Sequence, residues 1–276
     1  MHSSVLIIAC FTFLIHITEA LAYTMRLAGI RTKQIAIAMS FVTSTLLVSR
    51  LSNMFQAPLL GAMVDVSILD NTKNSLALLE HNFRFIIFAG FLGAFAGALL
   101  APTAVYLFQK AIKRFLIHGS IPRIFFSALT PKNMFKIITS FRIPRISSLK
   151  TISLKGIPKT FLILNIAVTS VYTIGVLCSL LAGAHLPALR STAIQLSGIV
   201  NGIATILLTI FVDPAGARIT DQAIHKIRPE NDVKSVVFFL QMGKILGTLI
   251  IAQILLMPFT KYIIWVTKII SSFAIK

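Results

Sequence analysis

The chain has 276 residues, of which 56% are hydrophobic and only 12% charged, with a mean hydropathy of +0.88. A soluble domain carries about 25% charged residues, so this composition excludes one and indicates a membrane protein. The net charge of +18 is concentrated in one stretch and so bears on orientation rather than on fold.

Apolar runs occur at about 4–24, 35–57, 85–108, 161–183, 190–212 and 235–258. Each meets the requirement of about 20 residues for a bilayer core. The fold class expected is all-α: a polytopic membrane protein of six transmembrane helices. A first half at 1–109 and a second at 161–276, with an amphipathic tail, flank a basic segment at 110–160.

The first run carries a polar stripe of Thr12, His16, Glu19, Tyr23 and Arg26. Steps of four and three keep these residues on one helix face. Glu19 and His16 lie one turn apart, close enough to share a proton or form an ion pair. Ala20-Leu21-Ala22 has the small residues of a signal cleavage site, but no Lys or Arg precedes the apolar stretch, which argues against cleavage.

The second run reads IAIAMSFVTSTLLVSRLSNMFQAPLLGAMV and contains Arg50, Ser52, Asn53, Gln56 and Pro58. A charge at the bilayer centre costs about 2.5–3.5 kcal/mol on insertion scales. A proline frees a carbonyl that only protein or a water-filled cavity can satisfy. The stretch therefore predicts a polar pathway, with Ser40, Thr43, Arg50 and Asn53 along it.

After the third run comes the basic segment, with eleven Lys/Arg between Lys110 and Lys159. No acid occurs between Glu80 and Asp213. Positive charge marks the cytoplasmic side. By alternation, Arg26, Arg31, Lys33 and residues 213–234 are cytoplasmic. Asp65, Asp70, Glu80, both termini, Lys261 and Lys268 are external. The interleaved FLI, FF and II groups suit a segment lying on anionic lipid rather than on nucleic acid. In the last three runs Asn165, Gln195 and Asn201 read as interhelical hydrogen-bonding groups. Lys244 lies between Gly243 and Gly247.

The two halves share a pattern at an offset of about 150 to 156 residues. Leu27-Ala28-Gly29 matches Leu181-Ala182-Gly183. Pro58, Gly61-Ala62 and Asp65 match Pro214, Gly216-Ala217 and Asp221. Gly93 and Gly97 match Gly243 and Gly247. Three helices per half reverse the second half in the membrane. Inverted repeats with polar, broken helices are a transporter signature.

One anionic head group would fit this set. Arg50, Lys244 and Arg26 would bind phosphate oxygens, with Asn53 and Gln56 beside them and Arg190 near one end. Arginine suits phosphate because its planar fork binds in two places. Glu19 and His16 would serve as a proton or counter-ion site. The alternative is internal ion pairing, Glu19 with Arg50 for example. Asp213, Arg218 and Asp221 would form a salt-bridged gate in a cytoplasmic loop. Cys10 and Cys178 lie in spanning runs, and neither a disulfide nor a metal site is expected. His16-x-x-Glu19 offers too few ligands for a metal. HExxH, P-loop and GxSxG motifs are absent, and no cofactor is expected.

The runs LAYTMRLAGIRTKQIAIAMSF (21–41), SRLSNMFQAPLLGAMVD (49–65) and FVDPAGARITD (211–221) resemble the Amj family, with DVKSVV and GKILGT after them. The family comprises lipid II flippases described as an alternate to MurJ. The resemblance implies a bacterial plasma-membrane protein that moves an undecaprenyl-pyrophosphate-linked peptidoglycan precursor outward. It also implies a role in cell-wall synthesis and cell shape, and it supplies no site residues. A carrier of undecaprenyl phosphate or another anionic lipid or solute, and a membrane-integral polyprenyl pyrophosphate phosphatase, are the alternatives.

Overall fold

The computed structural model describes residues 3–70, 74–144 and 146–274. Arg145, part of the basic segment, lies outside them. Among the described residues there is no strand, and six helical stretches are long and apolar enough to cross a membrane. The expected fold class and number of spans hold.

The first span combines α1 (Ser3–Tyr23) and α2 (Met25–Thr32). Next come α3 (Ile35–Asp70) and α4 (Ser75–Leu99). The basic segment forms α5 (Ala101–His118), α6 (Ile121–Ala128), α7 (Pro131–Thr139) and α8 (Ile146–Leu149). The fourth span is α9 (Lys159–His185). The fifth contains α10 (Arg190–Gln195), α11 (Ser197–Leu207) and α12 (Asp213–Ile224). The sixth contains α13 (Glu230–Leu246) and α14 (Ala252–Ala274).

Several boundaries differ from the sequence expectation. The third span begins at Ser75, about ten residues early, and ends before Pro102. Its early start is possible because Arg84 is neutralised within the helix. It donates to Glu80 Oε1 at 2.9 and 2.8 Å and to the Gln253 carbonyl at 2.9 Å. Gln253 returns a bond to the Arg84 carbonyl. Asp65, Asp70 and Glu80 lie on helices, not in a loop. Likewise most of 213–234 is helical, with a turn only at about 225–229. The supposed C-terminal tail continues the sixth span, which runs unbroken from Glu230 to Phe273.

The broken-helix expectation holds on one side only. The α3 helix runs through Pro58 without interruption. In the fifth span a π-helical turn, Leu208–Val212, precedes Pro214. A second π-helical turn, Gly247–Ile251, lies in the sixth. There the Gly247 carbonyl accepts both the Ala252 N–H across the turn and Ser170 Oγ at 3.2 Å, which ties the turn to α9.

Two helices carry the packing. The α1 helix contacts α3, α4 and α13, and α9 contacts α3, α4, α10, α11, α13 and α14. Lipid tails are as apolar as leucine, so close van der Waals fit between helices replaces the hydrophobic drive of water. Glycine provides it. A Cβ on Gly93 would overlap the Phe13 carbonyl oxygen and lie 3.1 Å from the Ile17 nitrogen. A Cβ on Gly247 would lie 3.0 Å from the Ile166 carbonyl oxygen. Each glycine pair thus seats the third helix of its half on the first. Gly93→Ala is expected to destabilise the protein by about 1–3 kcal/mol, because backbone cannot yield as a side chain can. A lowered melting temperature of the detergent-solubilised protein measures this.

Candidate functional site

Glu19 lies on α1 in mid-span. Lys244 of α13 donates to Glu19 Oε2 at 2.5 Å. Ser49 of α3 donates to Glu19 Oε1 at 3.1 Å. The carboxylate therefore ties three spans together. The Lys244 side chain is only 3% exposed, whereas that of Glu19 is 35% exposed. The ammonium is sealed in protein, and the Glu19 side chain is partly exposed.

Two further ion pairs lie beyond Glu19, toward the end that carries the basic segment. Arg26 Nη2 meets Asp213 Oδ1 at 3.0 Å, and Arg31 Nη2 meets Glu230 Oε1 at 2.9 Å. Glu19, Arg26 and Arg31 thus form a ladder on the first span that engages the fifth and sixth. Beside it is a cavity of about 230 Å³, lined by residues including Arg26, Met39, Thr220 and Asp221. At the opposite end Arg190 pairs with Asp65, joining the start of the fifth span to the end of the second.

The polar line expected on α3 divides into two faces. Ser49, Ser52 and Gln56 are buried. Gln56 donates to Thr12 Oγ1 at 2.7 Å, so its side chain is committed to α1. Arg50 and Asn53 are exposed. Among the described residues no ion pair involves Arg50. The resting pair of Glu19 with Arg50 is therefore replaced by Glu19 with Lys244. Arg50 sits one residue from Ser49, on the open side of the same helix. An arginine at this depth needs water, a lipid phosphate or a substrate.

His16 is buried, and its ring fills the space left by Gly90. Its Nδ1 has no hydrogen-bond partner among the described residues. Both oxygens of Glu19 are engaged elsewhere, so His16 and Glu19 do not form a nucleophile–base couple. The three gate residues also separate. Asp213 joins Arg26, and Asp221 lies 3.6 Å from His225. Arg218 is exposed and enters no ion pair among the described residues. Asn165 donates to the Leu240 carbonyl at 3.2 Å, an interhelical bond as expected. Asn201 Oδ1 is buried without a hydrogen-bond partner among the described residues and abuts Gly175, and Gln195 is exposed.

Sequence reasoning missed Ser49, Gln241 and the Asp65–Arg190 pair. Gln241 donates to the Ala20 carbonyl at 3.3 Å, one turn before Lys244. The available signal was spacing: Ser49, Ser52 and Gln56 are three and four residues apart, the repeat of one helix face.

The model of the family described as "Alternate to MurJ" matches residues 11–267. A protein of Bacillus subtilis (strain 168), named lipid II flippase Amj, is 39% identical over 271 residues, covering 96% of this chain and 97% of its own. No solved structure matches. With the family model matched across nearly the whole chain, and a relative 39% identical over 96% of it, the chain belongs to the Amj family.

Proposed function

We propose that this chain is a lipid II flippase of the bacterial plasma membrane, moving the precursor from the inner to the outer leaflet for cell-wall synthesis. The observation that carries the reading is the 39% identity over nearly full length to a protein named for that activity. The charge pattern supports it: a pyrophosphate needs cations at depth, and Arg50 and Lys244 are there.

In this mechanism the polyprenyl tail stays in lipid while the pyrophosphate and its sugar-peptide move along the open side of α3. Arg50 meets the phosphate first. Lys244 is held by Glu19 until a proton neutralises the carboxylate. Neutral Glu19 then releases the ammonium to the substrate. His16, whose Nδ1 has no hydrogen-bond partner among the described residues, lies one turn away and is a route for that proton. The basic segment faces the cytoplasm, and Arg190–Asp65 closes the outer end. The two halves act as an inverted repeat about this site; the seating of the Gly93–Gly97 pair on the first span and of the Gly243–Gly247 pair on the fourth supports that relation. A role in cell shape follows from precursor supply. Engagement of both Glu19 oxygens disfavours the phosphatase alternative.

The test is complementation in cells depleted of their other flippases, with lipid II exposure at the outer leaflet as the readout. Restored exposure is expected. Normal membrane abundance without exposure would overturn the reading, and restored exposure of undecaprenyl phosphate alone would reassign the cargo.

A further inference from the structure

The α5–α7 segment contains a second cationic site, remote from Glu19. Gly119 ends α5 with a φ of 65°, and its N–H donates to the Phe115 carbonyl. Only a residue tolerant of the left-handed region turns the chain so sharply. Ser120 then caps α6 by accepting from the Arg123 N–H. This turn folds α6 against the end of α5 and creates a cavity of about 320 Å³. Arg114, His118 and Arg123 line it, with Ile124, Ser127 and Asn133. Asn133 Nδ2 donates to the Ser127 carbonyl at 2.7 Å, which fixes α7 to the cavity wall.

None of Arg114, His118 and Arg123 enters an ion pair among the described residues. Nor does any acid occur between Glu80 and Asp213 in sequence. The cavity is therefore a convergence of uncompensated donors. The residues next in sequence to its lining supply an apolar rim: Ile117, beside His118, is 77% exposed, and Phe126, beside Ser127, is 67% exposed. Large apolar side chains beside free cations suit a ligand with a phosphate at one end and acyl chains at the other.

We propose that the Arg114–His118–Arg123 cavity binds the phosphate of an anionic phospholipid, while Ile117 and Phe126 enter the acyl region beside it. This site anchors the basic segment to one leaflet and is independent of what the chain transports. Free inorganic phosphate offers the same oxygens but nothing for the rim.

The test uses the full chain in phosphatidylcholine vesicles containing a minority of spin-labelled phosphatidylglycerol, with the motionally restricted fraction read by electron paramagnetic resonance. A double variant, Arg114→Gln with Arg123→Gln, is compared with Lys132→Gln plus Lys136→Gln. The control removes the same charge from the same segment outside the cavity. The first pair is expected to weaken the preference for the anionic lipid about tenfold, the loss of a charge-assisted hydrogen bond to phosphate. The control is expected to keep most of it, and excess inorganic phosphate is expected to leave the restricted fraction unchanged. Equal losses in the two variants, no loss in the first, or displacement by inorganic phosphate would each overturn the proposal.

Discussion

Lys244→Met is expected to destabilise the protein by about 3 kcal/mol and to abolish transport. Removing one partner of a buried pair strands the other, at a cost of about 3–5 kcal/mol. The lower end applies because the Glu19 side chain is 35% exposed and water offsets part of the loss. Ser49 still donates to Oε1, but one hydroxyl does not neutralise a carboxylate at mid-span. Adding Glu19→Gln to Lys244→Met removes the stranded charge. The double variant should recover most of the melting temperature without recovering lipid II exposure. That split separates the two roles of the pair, because a purely structural pair would recover both together. Melting of the purified protein and lipid II accessibility in complemented cells provide the two readouts.

Arg50→Ala is expected to act in the opposite way. Arg50 is exposed and forms no ion pair among the described residues, so stability should change by no more than about 0.5 kcal/mol. Transport should fall about 10- to 100-fold, the equivalent of one or two charge-assisted hydrogen bonds to phosphate at about 1.5–3 kcal/mol. Arg50→Lys should fall between, because an ammonium keeps the charge and loses the planar fork. Flux measured at matched membrane abundance gives the comparison.

The sequence made the helices legible because spanning runs are long and apolar, and the Gly93 and Gly243 pairs mark tight packing wherever they occur. It also placed Glu19, Arg50 and Lys244 at depth. It could not pair them. Position along a helix gives depth and face, but Lys244 meets Glu19 across 225 residues, and the rotation of α13 against α1 is set by packing. Hence Arg50 was the plausible partner in sequence and Lys244 is the partner in space. The ends of the spans were misjudged for a related reason. Asp65, Glu80, Arg84 and Asp213 look like loop residues by charge alone. Each is paired on a helix, with Arg190, Arg84, Glu80 and Arg26 respectively. Pro58 misled in the same way, because one proline removes one donor and need not end a helix whose neighbours hold it straight.

The proposed cationic path on the open side of α3 carries the pyrophosphate past Glu19 and Lys244. The most direct test is lipid II exposure at the outer leaflet of flippase-depleted cells expressing Arg50→Ala at wild-type membrane abundance. Exposure reduced about tenfold or more, with unchanged melting of the purified variant, is the predicted result. Wild-type exposure in that variant would contradict it.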